Sequence, residues 1–215
     1  MPIRLPKKTA AVEIQTPAPP PSGRKAFYTV AELAIRWSLS QRHIRRLIEQ
    51  GDIIAHRIGR AVRVSAANVA LFFGNIRPFK GLDLALRGWK LVTGDVLLLV
   101  VGEIWFGDEA RYRKIVEEEG IADRVRFETR FIPDREVAAW FAAADVVIAP
   151  YRYENQSGVA MSAFHFGKPV IATAVGGLPD IIEDRVNGLL IPPEDPQALA
   201  AAVDRALDEV HLQIG

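Results

Sequence analysis

A glycine-bounded loop in the C-terminal part of the chain carries residue types suited to binding a phosphate. It reads Gly74-Asn75-Ile76-Arg77-Pro78-Phe79-Lys80-Gly81, and it follows a strand-like apolar run and precedes a helical pattern. Arg77 and Lys80 flank the start of that helix, where backbone N–H groups without intrahelical partners already favour an anion. Cations and amides in this arrangement can hold a diphosphate through charge-assisted hydrogen bonds. The signal is weak by itself, because many loops contain one Arg and one Lys.

A second loop repeats this combination of strand end, small residues and helix start. It runs from Pro150 to Ala160, and its Ser157-Gly158 pair opens a helix whose N-terminus suits an anion. This second stretch continues at 166–173, and three more motifs rich in glycine or proline follow, at 175–180, 187–190 and 192–196. Together these segments give five separated motifs in a fixed order.

The five motifs resemble the C-terminal, donor-binding half of a GT-B glycosyltransferase. They are most similar to the large retaining family, group 1 or family 4, that uses nucleotide sugars, and the resemblance covers residues 72–209. It implies hexosyl transfer with retention from a donor such as a UDP- or GDP-hexose, without a metal or another cofactor. The residues that it assigns to the donor are these: Arg77 and Lys80 on the diphosphate, the amides of Ser157, Gly158 and Val159 on phosphate and sugar, and the region 130–132, including Arg130, along the base.

The chain departs from the family pattern in three places. The family often has Arg directly after the first loop glycine, where this chain has Asn75, and Arg77 is a possible substitute. The family's Glu-x7-Glu pair would fall on Asn155 and Ala163, with Glu154 adjacent, so we keep Glu154 and Asn155 in the expected donor site. A GT-B cleft also needs an N-terminal acceptor domain of roughly 100 residues or more, and residues 1–72 are too few to form one. We therefore expect an incomplete catalyst, and we assign no catalytic residue.

The N-terminal part carries a second group of chemically suitable residues. Thr29 and Glu32 form a capping box that predicts the start of a first helix. Ser40 caps a second helix, whose apolar stripe is Ile44, Leu47 and Ile48. Next come two short β-like arms, 54–58 and 61–64, around a turn at Gly59-Arg60. The polar residues of the helix and the hairpin could meet phosphates or guanine edges, and they are Gln41, Arg42, His43, Arg45, Arg46, Arg57, Arg60 and Arg63.

Residues 27–72 resemble an excisionase-like or MerR-like winged helix-turn-helix domain. The resemblance implies binding to double-stranded DNA, with the helix in the major groove and the hairpin as a wing. The alternative is a small basic domain whose charges only keep it soluble. For the acidic part, the corresponding alternative is a stable α/β domain that binds no ligand.

The pattern after Gly74 predicts an α/β fold with a Rossmann-like parallel sheet. Apolar runs at 96–101, 146–149 and 170–172 are typical of strands covered on both faces. Helical patterns lie between and after them, at 82–92, 109–119, 135–144 and 196–209. We therefore expect a basic, proline-rich disordered tail at 1–25, a winged helix-turn-helix at 26–72 and a nucleotide-sugar-binding domain at 73–215.

Two predictions conflict where the domains meet. Ser65 would cap a short third helix over 66–72, whereas 70–73 should form the first strand of the sheet. Both cannot hold fully, so at least one domain should be incomplete at this point.

The charge distribution separates the same two parts. Residues 1–72 carry 12 Lys and Arg against four Asp and Glu, whereas residues 73–215 carry 15 against 22. The chain has no cysteine, which excludes disulfides, thiolate metal ligands and cysteine nucleophiles. There is no signal-peptide pattern and no apolar segment of membrane-spanning length, so we expect a cytoplasmic protein.

Three functions remain open from the sequence. The first is a glycosyltransferase-like protein that binds a nucleotide sugar. The second is a DNA-binding regulator with the α/β domain as a sensor or passenger. The third is a non-functional fusion of two gene fragments. The sequence does not identify the sugar, the acceptor, the DNA site or the oligomeric state.

Overall fold

The computed structural model describes two sheets. The described residues are 27–28, 30–31, 34, 40–49, 55–58, 61–65, 68–105, 109–153 and 156–210. One sheet has three strands and the other has six. The tail predicted for 1–25 lies outside the described residues.

The small sheet belongs to the basic part of the chain. Its strands are β1 (Phe27–Tyr28), β2 (Ala55–Ile58) and β3 (Ala61–Ser65), and β3 pairs antiparallel with both others. Ile58 lies opposite Ala61, so β2 and β3 form the predicted hairpin. Gly59 and Arg60, which should form its turn, lie outside the described residues.

Helix α1 (Gln41–Glu49) begins directly after Ser40, as the cap predicted. The backbone is also helical at Val30, Ala31 and Ala34, in the region expected for an earlier helix. The capping box that predicted its start, Thr29 and Glu32, lies outside the described residues.

The third helix predicted after Ser65 is wrong. Strand β4 (Asn68–Phe73) occupies that part of the chain and belongs to the six-stranded sheet, inside the range expected for the N-terminal domain. The residues from Val69 to Phe72 are all buried. A continuous apolar run of this kind fits a central parallel strand better than a helix with one exposed face.

The large sheet is entirely parallel, with the order β6-β5-β4-β7-β8-β9. The other five strands are β5 (Val96–Val101), β6 (Val125–Glu128), β7 (Val146–Ala149), β8 (Val170–Thr173) and β9 (Gly188–Ile191). The chain builds outward from β4 in one direction, then returns to its other side at β7. This is the strand order of a doubly wound Rossmann fold, as predicted.

Six α-helices cover the two faces of this sheet. They are α2 (Leu82–Trp89), α3 (Glu109–Glu119), α4 (Asp134–Ala143), α5 (Gly158–His165), α6 (Leu178–Ile181) and α7 (Pro196–Val210). None of the helices in the described residues is long and apolar enough to span a membrane.

Each face of the sheet has its own hydrophobic core. Helices α2, α3 and α7 pack around Phe72 and Leu86, whereas α4, α5 and α6 pack around Leu71 and Phe141. Leu71 and Phe72 are neighbours on β4 and point to opposite faces, as strand geometry requires. Burying one such side chain contributes about 1.5–3 kcal/mol before the entropy cost of ordering it.

Candidate functional site

The carboxyl ends of the six parallel strands form one edge of the sheet, and both predicted loops lie there. The loop after β4 contains Arg77 and Lys80, and the loop after β7 contains Ser157. β4 and β7 are neighbours in the sheet, and the direction of chain winding changes between them. In doubly wound folds, ligands bind in the crevice at this change of direction.

The loop from Gly74 to Gly81 is held on both sides by neighbouring strand ends. On one side, Gly74 N donates to Val101 O over 2.9 Å. On the other, Arg152 N donates to Phe79 O over 2.7 Å, and a side chain at Gly81 would overlap the carbonyl of Pro150. A single 3-10 turn, Pro78–Lys80, then leads into α2. The backbone of this loop is therefore fixed before any ligand binds.

The structure brings Lys80 to the first turn of α5. A Cβ built on Gly74 would lie 3.3 Å from both Lys80 Nζ and Val159 Cγ2. Lys80 Nζ also lies 5.3 Å from the centre of the Tyr151 ring. Residues 74, 80 and 159, which the sequence placed in two separate motifs, thus share one small volume.

Helix α5 presents its N-terminus to this volume. The buried Ser157 is its N-cap, and Ser157 Oγ accepts a hydrogen bond from Ala160 N over 3.2 Å. A Cβ at Gly158 would meet no atom within 4 Å, so open space adjoins the helix start. The start of α5 is therefore accessible, and the amides at a helix N-terminus that have no intrahelical partner favour an anion.

Ala163, the sequence position expected for the second family carboxylate, is fully buried in the core under α5. Glu154 and Asn155, expected to contact the donor, lie outside the described residues.

Arg77 lies at the start of the 3-10 turn and stacks on Trp105. The centre of its guanidinium group is 4.3 Å from the centre of the Trp105 ring. Its buried Nε has no hydrogen-bond partner among the described residues. Nothing in the spacing of residues indicates this contact, because Trp105 belongs to the loop after β5, far from Arg77 along the chain.

Arg130 follows β6, at the same sheet edge but two strands from β4. Its guanidinium pairs with Glu128 and, over 2.6 Å, with Glu136. The Glu136 hydrogen bond is the main cause that raises the pKa of Arg130, helped by Glu128 and opposed by partial burial. Phe131 beside it is 68% exposed, whereas Ile132 is buried.

Comparison with known proteins agrees with this architecture. Residues 67–209 match the model of the family named glycosyl transferases group 1. The chain belongs to this family. Residues 27–75 match the model of a helix-turn-helix domain.

Among the described residues, no group of three or more His, Asp or Glu could hold a metal ion.

Relatives of the glycosyltransferase domain include enzymes and solved structures. A D-inositol 3-phosphate glycosyltransferase of Thermomonospora curvata is 39% identical over 153 residues, which cover 66% of this chain and 35% of the relative. The chain spans about a third of the length of the curated relatives it matches.

Two solved structures illustrate the shared fold. HepE of Anabaena, solved in complex with UDP and glucose, is 25% identical with a TM-score of 0.65, covering 81% of this chain and 46% of that one. The C-terminal domain of LpcC, a glycosyl transferase group 1 family protein from Francisella tularensis, is also 25% identical. Its TM-score is 0.61, covering 68% of this chain and 80% of that one.

The glycosyltransferase domain also contains an ion-pair network that the sequence analysis missed. Arg152 donates to both carboxylate oxygens of Asp83 over 2.9 Å, and its Nε lies 2.6 Å from Glu194 Oε1. Arg152 Nη1 also donates to Pro78 O over 2.8 Å. Arg152 follows β7, Pro78 follows β4 and Glu194 follows β9, so the network connects these three loops. It borders a cavity of about 350 Å³ lined by Pro78, Phe79, Asp83, Arg111, Arg152 and Tyr153.

The same contacts set the charge state of this network. Burial alone would raise the pKa of Asp83, but hydrogen bonds and charge from Arg152, with charge from Arg111, outweigh it and lower that pKa. The pKa of Arg152 is raised, chiefly by its hydrogen bonds to Asp83. Both groups therefore stay ionised at neutral pH.

In the helix-turn-helix domain, the predicted apolar stripe of α1 is buried at Ile44 and partly buried at Ile48, whereas the side chain of Leu47 lies outside the described residues. Ile44 is fully buried, whereas the exposed residues on this helix include Gln41, Arg42, Arg45 and Arg46. The side chains of His43, Arg57 and Arg63, and all of Arg60, lie outside the described residues.

Proposed function

We propose that the glycosyltransferase domain binds a nucleotide-sugar donor at the sheet edge between β4 and β7, as the donor half of a cleft for hexosyl transfer with retention that needs an acceptor domain to be complete. This proposal rests on one observation: Lys80 Nζ and Val159, in the first turn of α5, both lie close to Gly74. A diphosphate there would face a cation and helix amides together. Its charge would be offset without a metal.

The proposed donor contacts follow the loops. Lys80 and Arg77 bind the diphosphate, and the amides of Gly158 and Val159, at the α5 start capped by Ser157, bind phosphate and sugar. Glu154 and Asn155, just before that helix, are proposed to bind the sugar, and the 130–132 region to line the base. The complex of HepE with UDP and glucose supports a uridine nucleotide as the first ligand to try.

The proposed transfer breaks the bond between the anomeric carbon and the diphosphate oxygen. The electron pair of that bond leaves with the nucleoside diphosphate, and an acceptor hydroxyl oxygen bonds to the same carbon and loses its proton. Negative charge grows on the leaving diphosphate as the bond breaks. Lys80, Arg77 and the α5 amides would stabilise that charge, because fixed dipoles and cations act strongly where charge develops.

Calorimetric titration of the full chain with UDP, GDP and UDP-glucose tests donor binding. We expect Lys80→Ala to weaken UDP binding about 10- to 100-fold, because a hydrogen bond to a charged group contributes about 1.5–3 kcal/mol. Arg87→Ala is the matched control, since Arg87 lies in the last turn of α2, at the other end of that helix, and is half exposed.

Absence of any heat with all three ligands at millimolar concentration would contradict donor binding. Equal UDP affinity of wild type and Lys80→Ala would contradict the placement of the diphosphate beside Lys80. An Arg87→Ala variant as weak as Lys80→Ala would show that loss of positive charge anywhere on the domain explains the effect.

A second proposed function is binding to double-stranded DNA by the helix-turn-helix domain. The observation in its favour is the exposed set Arg42, Arg45 and Arg46 on the face of α1 opposite Ile44. Three arginines on one exposed face form a patch of positive charge that attracts phosphate groups. The hairpin residues Arg57, Arg60 and Arg63 are proposed as a wing that contacts the DNA backbone.

Gel shift at several salt concentrations tests this function. We expect the wild-type affinity for duplex DNA to fall steeply as salt rises, because phosphate contacts release counterions. The double variant Arg45→Ala with Arg46→Ala should bind DNA more weakly. The slope of log affinity against log salt concentration should become shallower by about two, because about two phosphate contacts are lost. Arg113→Ala with Arg135→Ala, exposed arginines of the other domain, is the charge-matched control. Affinity that does not change with salt would contradict phosphate contacts.

A further inference from the structure

Arg77 and Trp105 lie on neighbouring loops that continue the pairing of β4 and β5 beyond both strand ends. Ile76 N donates to Glu103 O over 2.8 Å, and Trp105 N donates to Ile76 O over 3.1 Å. This extra bridge fixes the backbone on each side of the contact. The stacking of Arg77 on Trp105 is therefore built on a continuous ladder of backbone hydrogen bonds.

The guanidinium of Arg77 lies over the indole ring of Trp105. The distance of 4.3 Å between the guanidinium carbon and the ring centre is well inside the range of a cation–π contact. Arg77 Nε has no hydrogen-bond partner among the described residues, so the contact leaves a donor of the guanidinium unused. The indole also carries no negative charge, so the cation is oriented but its charge is not neutralised.

Two other arginines at this sheet edge are held in a different way. Arg130 pairs with Glu128 and Glu136, and Arg152 pairs with Asp83 and Glu194. Their N–H groups and their charge are used by carboxylates. Arg77, held by an aromatic ring, keeps charge and donors for a ligand beside Lys80 in the same loop.

We propose that Trp105 is a positioning residue, which orients Arg77 toward the diphosphate of the bound nucleotide. This assignment rests on the donor binding proposed above. Trp105 itself is 38% exposed and needs no contact with the ligand for this role. In the free protein it holds the arginine in place, so binding costs less side-chain entropy.

Titration of the full chain with UDP and with inorganic pyrophosphate tests the role of Trp105. Trp105→Leu, which keeps apolar bulk without a π face, should weaken both ligands about 3- to 20-fold. Trp105→Phe, which keeps a π face, should stay within about threefold of wild type. Arg77→Ala should weaken both ligands about 10-fold or more. Adding Trp105→Leu to Arg77→Ala should cause no further loss, because Trp105 acts through Arg77.

Leu91→Ala, an exposed apolar residue just past the far end of α2, is the control and should bind as wild type does. Three results would overturn the inference: equal binding by Trp105→Leu and wild type, equal weakening by Phe and Leu, or additive losses in the double variant. A wild-type chain that binds neither UDP nor pyrophosphate would overturn donor binding as well. Failure of the positioning role alone is therefore distinguishable from failure of the proposed function.

Discussion

At the scale of single residues, the same side chain serves different purposes at one sheet edge. Arg152 is a structural tie whose donors are taken up by Asp83, Glu194 and a backbone carbonyl. Arg77 is stacked on a ring instead. Residue type alone therefore does not reveal which arginine can meet a ligand, and the partner of each guanidinium decides it.

The pKa of Asp83 gives a prediction about stability and pH. Because the folded-state pKa lies below the ordinary value near 4, ionised Asp83 stabilises the fold above that pH. This contribution is lost as pH falls through the depressed folded-state pKa. We expect Asp83→Asn to lower the free energy of unfolding by about 1–3 kcal/mol at pH 7, and the difference from wild type to shrink below about pH 4. Urea denaturation across pH measures both effects.

Glu118→Gln is the control for Asp83→Asn. Glu118 belongs to an exposed pair with Lys114 on α3, at 50% and 74% side-chain exposure. Such pairs contribute about 1 kcal/mol or less. A difference between wild type and Asp83→Asn that stays constant down to pH 2 would show that Asp83 acts through packing and not through its charge.

Two of the loops that the sequence singled out lie together in the structure. They are the loop with Arg77 and Lys80 and the loop with Ser157 and Gly158, and each could be recognised because its residues lie in one short segment. Trp105 and the Asp83–Arg152 pair were missed, because their partners are far apart in sequence. Only the strand order brings them into contact.

At the scale of elements, the site depends on how closely two loops approach. Gly102 follows β5 with φ of 133°, and a Cβ there would overlap the carbonyl of Gly74. Gly74 in turn lies against Lys80 and Val159. A side chain at 102 would therefore displace the loop that carries the proposed phosphate contacts.

We expect Gly102→Ala to reduce both stability and UDP affinity. Gly120→Ala separates the two causes, because Gly120 also has a positive φ, of 67°, but a Cβ there meets nothing within 4 Å. Gly120→Ala should cost only the backbone strain, about 1–2 kcal/mol, and leave UDP affinity unchanged. Thermal unfolding and titration compare the variants. A Gly102→Ala protein that binds UDP as wild type does would show that the loop tolerates displacement.

Elements with a continuous apolar or helical pattern were predicted with the right bounds. These are helix α3 and strands β5 and β7. β6 and β9 are as short as β7 but were not identified as strands, because they are the outermost strands of the sheet, where polar or glycine residues interrupt the apolar pattern. The helix expected after Ser65 failed because burial of β4 between β5 and β7 outweighs a local capping signal.

At the scale of the whole molecule, two sheets correspond to two family matches. The six-stranded sheet begins at Asn68, and the glycosyltransferase match covers 67–209. The helix-turn-helix match, 27–75, runs into β4. Residues 68–75 thus fall within both matched segments, although the structure assigns β4 to the large sheet.

This assignment predicts that a fragment of residues 67–210 folds and binds UDP with an affinity within about threefold of the full chain. All six strands and both proposed donor loops lie inside it. The solved C-terminal domain of LpcC shows that a related domain can be studied separately. A fragment that starts at residue 74 is the control. It lacks β4 and should fail to fold, because it loses the central strand and its buried side chains.

Titration and circular dichroism of the two fragments check this prediction. If the 67–210 fragment folds but no longer binds UDP, then residues before 67 contribute to the site. If the 74–210 fragment folds and binds, then β4 is not the central element that its pairing indicates.

The sequence by itself determined the fold class, the family, the cationic loop at 74–81, the Ser157-Gly158 loop and the basic face of α1. These features depend on periodicity, spacing and residue type within short segments, and such local information is readable along the chain. The tertiary structure decided that 68–73 is a strand, that Ala163 is buried, that Arg152 and Arg130 are paired with carboxylates, and that Arg77 stacks on Trp105. Each of these outcomes depends on contacts between segments far apart in sequence, which are set by the order of strands in the sheet.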